Sequence, residues 1–163
     1  MRKVIISLAL VVLLSFSSFG LNIFYDNFDN NLARLNGWKE SSSTNVVKNT
    51  STATKVGTAC MQIKYNGNVT AYINVKPYKN MVLTFRMAKY SLETGEKIVC
   101  QYMTGTTWVT AATKLNTASS SAYTSYSVSI PAATTLKIRF ILNGSATDDT
   151  AYIDEVKLVG DRK

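Results

Sequence analysis

Carboxylates cluster at the two ends of the chain. Asp26 and Asp29 stand in Phe24-Tyr25-Asp26-Asn27-Phe28-Asp29, and Asp154 and Glu155 stand in Ala151-Tyr152-Ile153-Asp154-Glu155-Val156. Both segments mix apolar and aromatic residues with acids, as two half-buried strands would. If they lie side by side, their oxygens suit two kinds of chemistry. A hard cation such as Ca²⁺ takes six to eight oxygens from carboxylates, amides and carbonyls. A glycosidase uses a carboxylate pair across a scissile bond, for which Asp26 with Asp154, or Asp29 with Glu155, are the pairings to consider. The chain has no histidine. That removes the usual base at neutral pH and any Ser-His-Asp or Cys-His arrangement. A non-catalytic role is therefore expected.

The second set of candidates is cationic. In the run 81–88, alternation puts Met81, Leu83, Phe85 and Met87 on one face and Arg86 on the other. In 136–142 it puts Leu136, Ile138, Phe140 and Leu142 inward, and Lys137 and Arg139 outward. If the two strands are neighbours, Arg86, Lys137 and Arg139 line one cationic surface. Forked guanidinium donors there would favour carboxylate or sulfate. Aromatic rings with a polar handle could supply stacking surfaces. Trp38 and Tyr90, in or beside loops, are the ones expected to be exposed, whereas Trp108 in Gly105-Thr106-Thr107-Trp108 reads as a packing residue.

These side chains need a scaffold, and the pattern specifies strands. Helix signals are nearly absent. Besides 81–88, 136–142 and the closing segment, strands are expected at 22–28, 59–65, 69–75, 97–103, 107–111 and 123–130. Turn signals separate them at Asn66-Gly67, Pro77, Thr94-Gly95, Thr104-Gly105, Pro131 and Asn143-Gly144. Asn66-Gly67 is the strongest hairpin signal. In the closing strand Tyr152, Asp154 and Val156 are expected to share a face, and Asp148-Asp149 to solvate a loop. About nine strands joined by short turns predict an all-β fold, an antiparallel two-sheet sandwich.

Residues 1–20 read as a signal peptide. Arg2 and Lys3 precede an apolar run of about thirteen residues, shorter than the roughly 20 that span a bilayer, and small residues follow. Residues 21–163 are then one secreted, extracellular domain with no membrane span. Eighteen Lys and Arg against 10 Asp and Glu give a net charge of +8. The basic residues are scattered and no nucleic-acid motif is present, so no nucleic-acid partner is expected. In an oxidising compartment Cys60 and Cys100 predict one disulfide, closing a loop of about 40 residues worth about 3–4 kcal/mol. Two buried thiols that never meet are the alternative.

The order aromatic-Asp-Asn-Phe-Asp…Gly37-Trp38, then Gly95-Glu96-Lys97-Ile98-Val99-Cys100-Gln101-Tyr102, then Ile130-Pro131…Ala151-Tyr152-Ile153-Asp154-Glu155-Val156 resembles secreted jelly-roll modules. These are the galactose-binding-like and carbohydrate-binding modules, with MAM-type domains as relatives. The resemblance covers nearly all of 21–163. It implies a jelly roll that binds an extracellular glycan, here an acidic one if the cationic face forms, with an adhesive protein-binding module as the alternative. It also implies a structural Ca²⁺ pinning the first strand to the last. Asp29 matches the acidic position of the opening motif, Asp154 that of the closing one, and Asp26 is a third ligand candidate.

Overall fold

The computed structural model describes residues 20–30, 35, 37–51, 54–116 and 122–163; the expected signal peptide lies almost wholly outside them. Eleven strands follow in order: β1 (Leu21–Asp26), β2 (Trp38–Glu40), β3 (Val46–Asn49), β4 (Cys60–Lys64), β5 (Asn68–Asn74), β6 (Tyr78–Tyr90), β7 (Lys97–Met103), β8 (Val109–Leu115), β9 (Thr124–Ile130), β10 (Thr135–Asn143) and β11 (Thr150–Arg162). They form two antiparallel sheets. The first runs β3-β4-β11-β6-β9, with β1 also on β11, and the second runs β2-β5-β10-β7-β8. The fold is an all-β jelly-roll sandwich. No described helix is long and apolar enough to cross a membrane.

The alternating strands face each other across the core. Met81, Leu83, Phe85 and Met87 of β6, and Leu136, Ile138, Phe140 and Leu142 of β10, are all buried in one cluster. Phe85 meets Phe140 edge-on, with centroids 5.3 Å apart. Each such side chain contributes about 1.5–3 kcal/mol by leaving water. Trp38 is part of this core, packed on Phe24, Phe28 and Phe140. That corrects the expectation of an exposed ring.

Two strands escape the alternation pattern because they are short: β2 and β3 have three and four residues. Strand β8 covers Val109–Leu115 rather than 107–111. Asn66-Gly67 does not close a hairpin. It carries the chain from β4 in the first sheet to β5 in the second. The left-handed residue there is Tyr65, at φ 54. Gly67 is needed for close approach, since a Cβ on it would lie 2.8 Å from Ile63 Cγ2 and 3.0 Å from the Lys64 carbonyl oxygen.

Strand β11 holds the first sheet together. Strand β6 lies along one of its edges. Along the other, β4 pairs with 150–153 and β1 with 156–160. At the handover, the register against β6 shifts between Asp154 and Lys157, and Glu155 takes a left-handed backbone at φ 48. This β-bulge corrects the expected alternation. Ile153 and Val156 both face the core, so Val156 does not share a face with Tyr152 and Asp154.

The expected disulfide is absent. Cys60 and Cys100 are both buried free thiols. In β4, Met61 and Ile63 point into the core, so Cys60 falls on the outer side, where it packs with Ala88, Tyr152 and Tyr123. Cys100 points into the core from the other sheet. Burial pushes the Cys60 thiol up to about 12 and the Cys100 thiol well above its ordinary value. A chemically inert pair follows. Native protein should therefore give almost no reaction with a thiol reagent, and two equivalents after unfolding in guanidinium. Its melting temperature should be the same with and without reductant.

Candidate functional site

The three aspartates do not converge as one ligand set. Asp26 Oδ1 accepts from the Phe28 N–H at 2.8 Å and Oδ2 from the Trp38 indole N–H at 2.9 Å. It ties the loop after β1 to the buried tryptophan, and burial raises its pKa. Asp29 and Asp154 instead grip one loop from two sides. Asp29 Oδ1 accepts from the N–H groups of Thr58 (2.7 Å) and Ala59 (3.0 Å) and from the Thr58 hydroxyl (3.0 Å). Asp154 Oδ2 accepts from the Val56 N–H at 2.7 Å, and Oδ1 from the Glu155 N–H at 2.8 Å. Gly57 lies between them at φ +73, where a Cβ would collide with the Asp29 carboxylate.

Burial pushes both carboxyls up, but they settle differently. The Thr58 and Ala59 donors bring Asp29 below its ordinary value. Asp154 is fully buried, its two N–H donors do not offset the desolvation, and the nearby Asp29 charge adds to it. Its pKa is raised to about 6. No group of three or more acidic, Cys or His side chains among the described residues is arranged to hold a metal. The glycosidase pairings fare no better, because each carboxylate is engaged: Glu155 Oε2 accepts from Arg86 Nε at 2.9 Å.

Asp149 does not solvate its loop. It is fully buried, and its Oδ2 accepts from the N–H groups of Ser145 (2.8 Å) and Ala146 (2.6 Å). Glu96 Oε1 accepts from the same Ser145 N–H at 2.6 Å.

The cationic residues divide between the two outer faces. Arg86 lies on β6 of the first sheet, Lys137 and Arg139 on β10 of the second, so they do not form one surface. Tyr90 is exposed as expected but ends β6, also in the first sheet.

The outer face of the second sheet gathers a different set. Register places Lys39, Thr70, Arg139, Gln101 and Thr110 in one row across all five strands. The adjacent row contains Tyr72, Lys137 and Met103. Arg139 Cζ stands 4.0 Å from the centroid of the Trp108 ring, and its Nε donates to Gln101 Oε1 at 2.8 Å. Gln101 Nε2 donates in turn to Thr110 Oγ1 at 3.3 Å. Lys137 Nζ is 5.3 Å from the centroid of Tyr72, a ring 60% exposed. Beside it is a depression of ≈ 450 Å³ lined by Tyr72, Asn74, Lys76, Thr135 and Lys137.

Trp108 is thus half-exposed on this face, not a packing residue. The available signal was Gln101, a polar residue alternating with Cys100 and Tyr102, which marks that side of β7 as outward. The two rows, with Trp108 beside them, bring together two rings, an amide, hydroxyls and cations.

No family model matches the sequence, and no curated protein matches it. Solved structures do. TmCBM61, determined with β-1,4-galactotriose, superposes with a TM-score of 0.68 at 14% identity, covering 86% of this chain and 99% of that one. The fold is that of the carbohydrate-binding modules. The CBM22-1 xylan-binding domain of Xyn10C from Paenibacillus barcinonensis gives 0.65 at 10% identity, over 88% and 97%. The K1 cleaved adhesin domain of Lys-gingipain from Porphyromonas gingivalis W83 also gives 0.65, at 13% identity over 87% and 99%.

The Asp154 carboxyl makes stability depend on pH in a defined direction. Folded, it holds its proton up to about pH 6; at its ordinary value it would release it near 3.8. Between those values the folded state binds more protons, so this group's contribution falls as pH rises from about 4 to about 6. A shift of that size corresponds to about 3 kcal/mol. Denaturant titrations of wild type and Asp154→Asn, in chelator-containing buffer, should show wild type losing up to about that much relative to the variant between pH 4 and 7. A difference independent of pH would contradict the assignment.

Proposed function

We propose that this is a secreted, non-catalytic module that binds an extracellular glycan on the outer face of its second sheet, and that the glycan is acidic. The observation that carries the reading is Arg139 held over the Trp108 ring, its Cζ 4.0 Å from the centroid. The Gln101 bond occupies Nε and fixes the fork, leaving the donors of the two terminal nitrogens for a ligand carboxylate or sulfate. Trp108 and Tyr72 offer ring faces to sugar C–H surfaces, and Lys39 and Lys137 extend the positive field across the face. The carbohydrate-binding modules of similar fold support glycan as the ligand class. An adhesive, protein-binding role is the second reading, and the adhesin domains of the same fold favour it.

We also propose a structural Ca²⁺ held by Asp29 and Asp154. The fit rests on two carboxylates that reach one loop from two sides, and the Asp29 charge near the buried Asp154 carboxyl is a conflict that a divalent cation relieves. Asp26 is set apart from it, because its carboxylate ties Phe28 to the Trp38 indole and does not reach the 55–59 loop. Bound calcium would tie β1 to β11 through the 55–59 loop. Millimolar calcium should raise the melting temperature of wild type and leave that of Asp154→Asn unchanged. Equal melting curves in calcium and chelator would remove the ion from the account.

Affinity electrophoresis through polygalacturonate and alginate tests the glycan. Wild type should be retarded, and less so at high salt. Trp108→Ala and Arg139→Ala should each weaken retention by at least about ten-fold, since either change dismantles the stacked pair. Free migration of wild type in both gels, together with salt-independent self-association, would favour the adhesive reading.

A further inference from the structure

The outer face of the first sheet, on the opposite side of the sandwich, carries polar side chains around two shallow depressions. Register aligns Tyr25, Lys157, Thr84 and Ser127 in a row across β1, β11, β6 and β9, with Arg86 and Ser125 in the row beyond. Two depressions lie side by side along these rows. One, of ≈ 280 Å³, is lined by Asn22, Tyr25, Thr84, Glu155 and Lys157. The other, of ≈ 320 Å³, is lined by Arg86, Ser125, Tyr126, Ser127, Thr84 and Glu155. Glu155 and Thr84 line both.

Glu155 reaches that position only through the β11 bulge. Its backbone sits at φ 48, a conformation that costs a non-glycine residue energy and that a flat strand would not impose. Bulges re-aim side chains, and this one brings a carboxylate out beside Arg86, 2.9 Å from its Nε. The pair remains open to solvent, with 41% and 32% of the two side chains exposed. An exposed ion pair of this kind adds little stability. The Tyr25 ring, 51% exposed, flanks the carboxylate.

We infer that this surface binds a neutral sugar chain, distinct from the ligand proposed for the second sheet. An acceptor and a fork of donors side by side match vicinal hydroxyls: one hydroxyl donates to Glu155, and its neighbour accepts from Arg86. The charges of the pair cancel, so the pair itself suits an uncharged polyol, and Lys157 at the side of the first depression adds a further donor. Tyr25 provides the ring on which an adjoining sugar stacks, and Thr84, Ser125 and Ser127 extend the hydroxyl contacts into the neighbouring depression. The two outer faces together would let one molecule hold two different chains.

Backbone-amide NMR titration with galactotriose, xylotriose and mannotriose tests this. With at least one of them, the amides of Tyr25, Thr84, Glu155 and Ser127 should shift in wild type and equally in Trp108→Ala, which lacks only the opposite face's ring. Tyr25→Ala and Glu155→Gln should each reduce affinity at least about five-fold. Glu155→Gly should melt at the same or a higher temperature while binding no better than Glu155→Gln, because glycine accepts the left-handed backbone without strain. If none of the three sugars moves those amides at millimolar concentration, the inference fails, whatever the second sheet binds. If shifts occur but vanish in Trp108→Ala, the neutral sugar belongs to the second sheet, and the inference fails in that way instead.

Discussion

The structure turns on a break in the edge of β11. Two strands, β4 and β1, share that edge end to end, and neither covers the stretch between Ile153 and Val156. Backbone groups there and in the arriving loop would be left without partners inside the protein, each at a cost of about 1–3 kcal/mol. Asp154 and Asp29 supply the missing acceptors. Between them they take the N–H groups of Val56, Thr58, Ala59 and Glu155. The bonds span 98 residues in one direction and 29 in the other, so the two ends of the domain and the approach to β4 are joined at a single point. Contacts this distant in sequence form only when the sheet is nearly assembled.

The same break has two consequences, and both cost energy. A carboxylate placed at Asp154 is cut off from water and lies near Asp29, and this raises its pKa to about 6. The extra residue that lets β11 pass from one partner to the next forces Glu155 into a left-handed backbone. An unbroken β11 paired to one long strand would need neither. The sandwich tolerates both because the core beneath is continuous. Ile153 and Val156 enter it from either side of the bulge, and Ala151 and Leu158 extend the buried line. Hydrophobic packing thus supports a locally unfavourable stretch, and the charged groups of the first sheet's outer face are arranged around it.

Much of this was legible in the sequence because period-two alternation is local. The core faces of β6 and β10 follow directly from Met81 to Met87 and from Leu136 to Leu142, and Gly95 turns at φ 94 where Thr94-Gly95 indicates it. What alternation does not encode is which sheet a strand joins. Arg86 and Arg139 both point outward, yet they point in opposite directions from the molecule. The bulge was hidden for a related reason: one inserted residue reverses the parity of everything after it, and Tyr152-Ile153-Asp154-Glu155-Val156 reads as regular until its partner strand is known. The thiols were more accessible. Met61 and Ile63 mark the core side of β4, which leaves Cys60 outside, while Ile98 marks Cys100 as inside, so parity alone argues against their meeting.

The two tryptophans show how the neighbouring charge, rather than the ring, decides a role. Trp38 is buried among three phenylalanines, and its indole N–H would be an unsatisfied donor there without Asp26, whose own carboxylate is stabilised by the Phe28 N–H. Indole and acid satisfy each other, and the ring can sink into the core. Trp108 has a cation at its face instead of an acid at its edge. A guanidinium cannot follow a ring into an apolar interior without a counter-charge, so the pair remains at the surface, with one side of the fork held by Gln101. Sequence position alone predicts the reverse, an exposed Trp38 and a packed Trp108. The partner determines that one closes the core and the other stays at the surface beneath a cation.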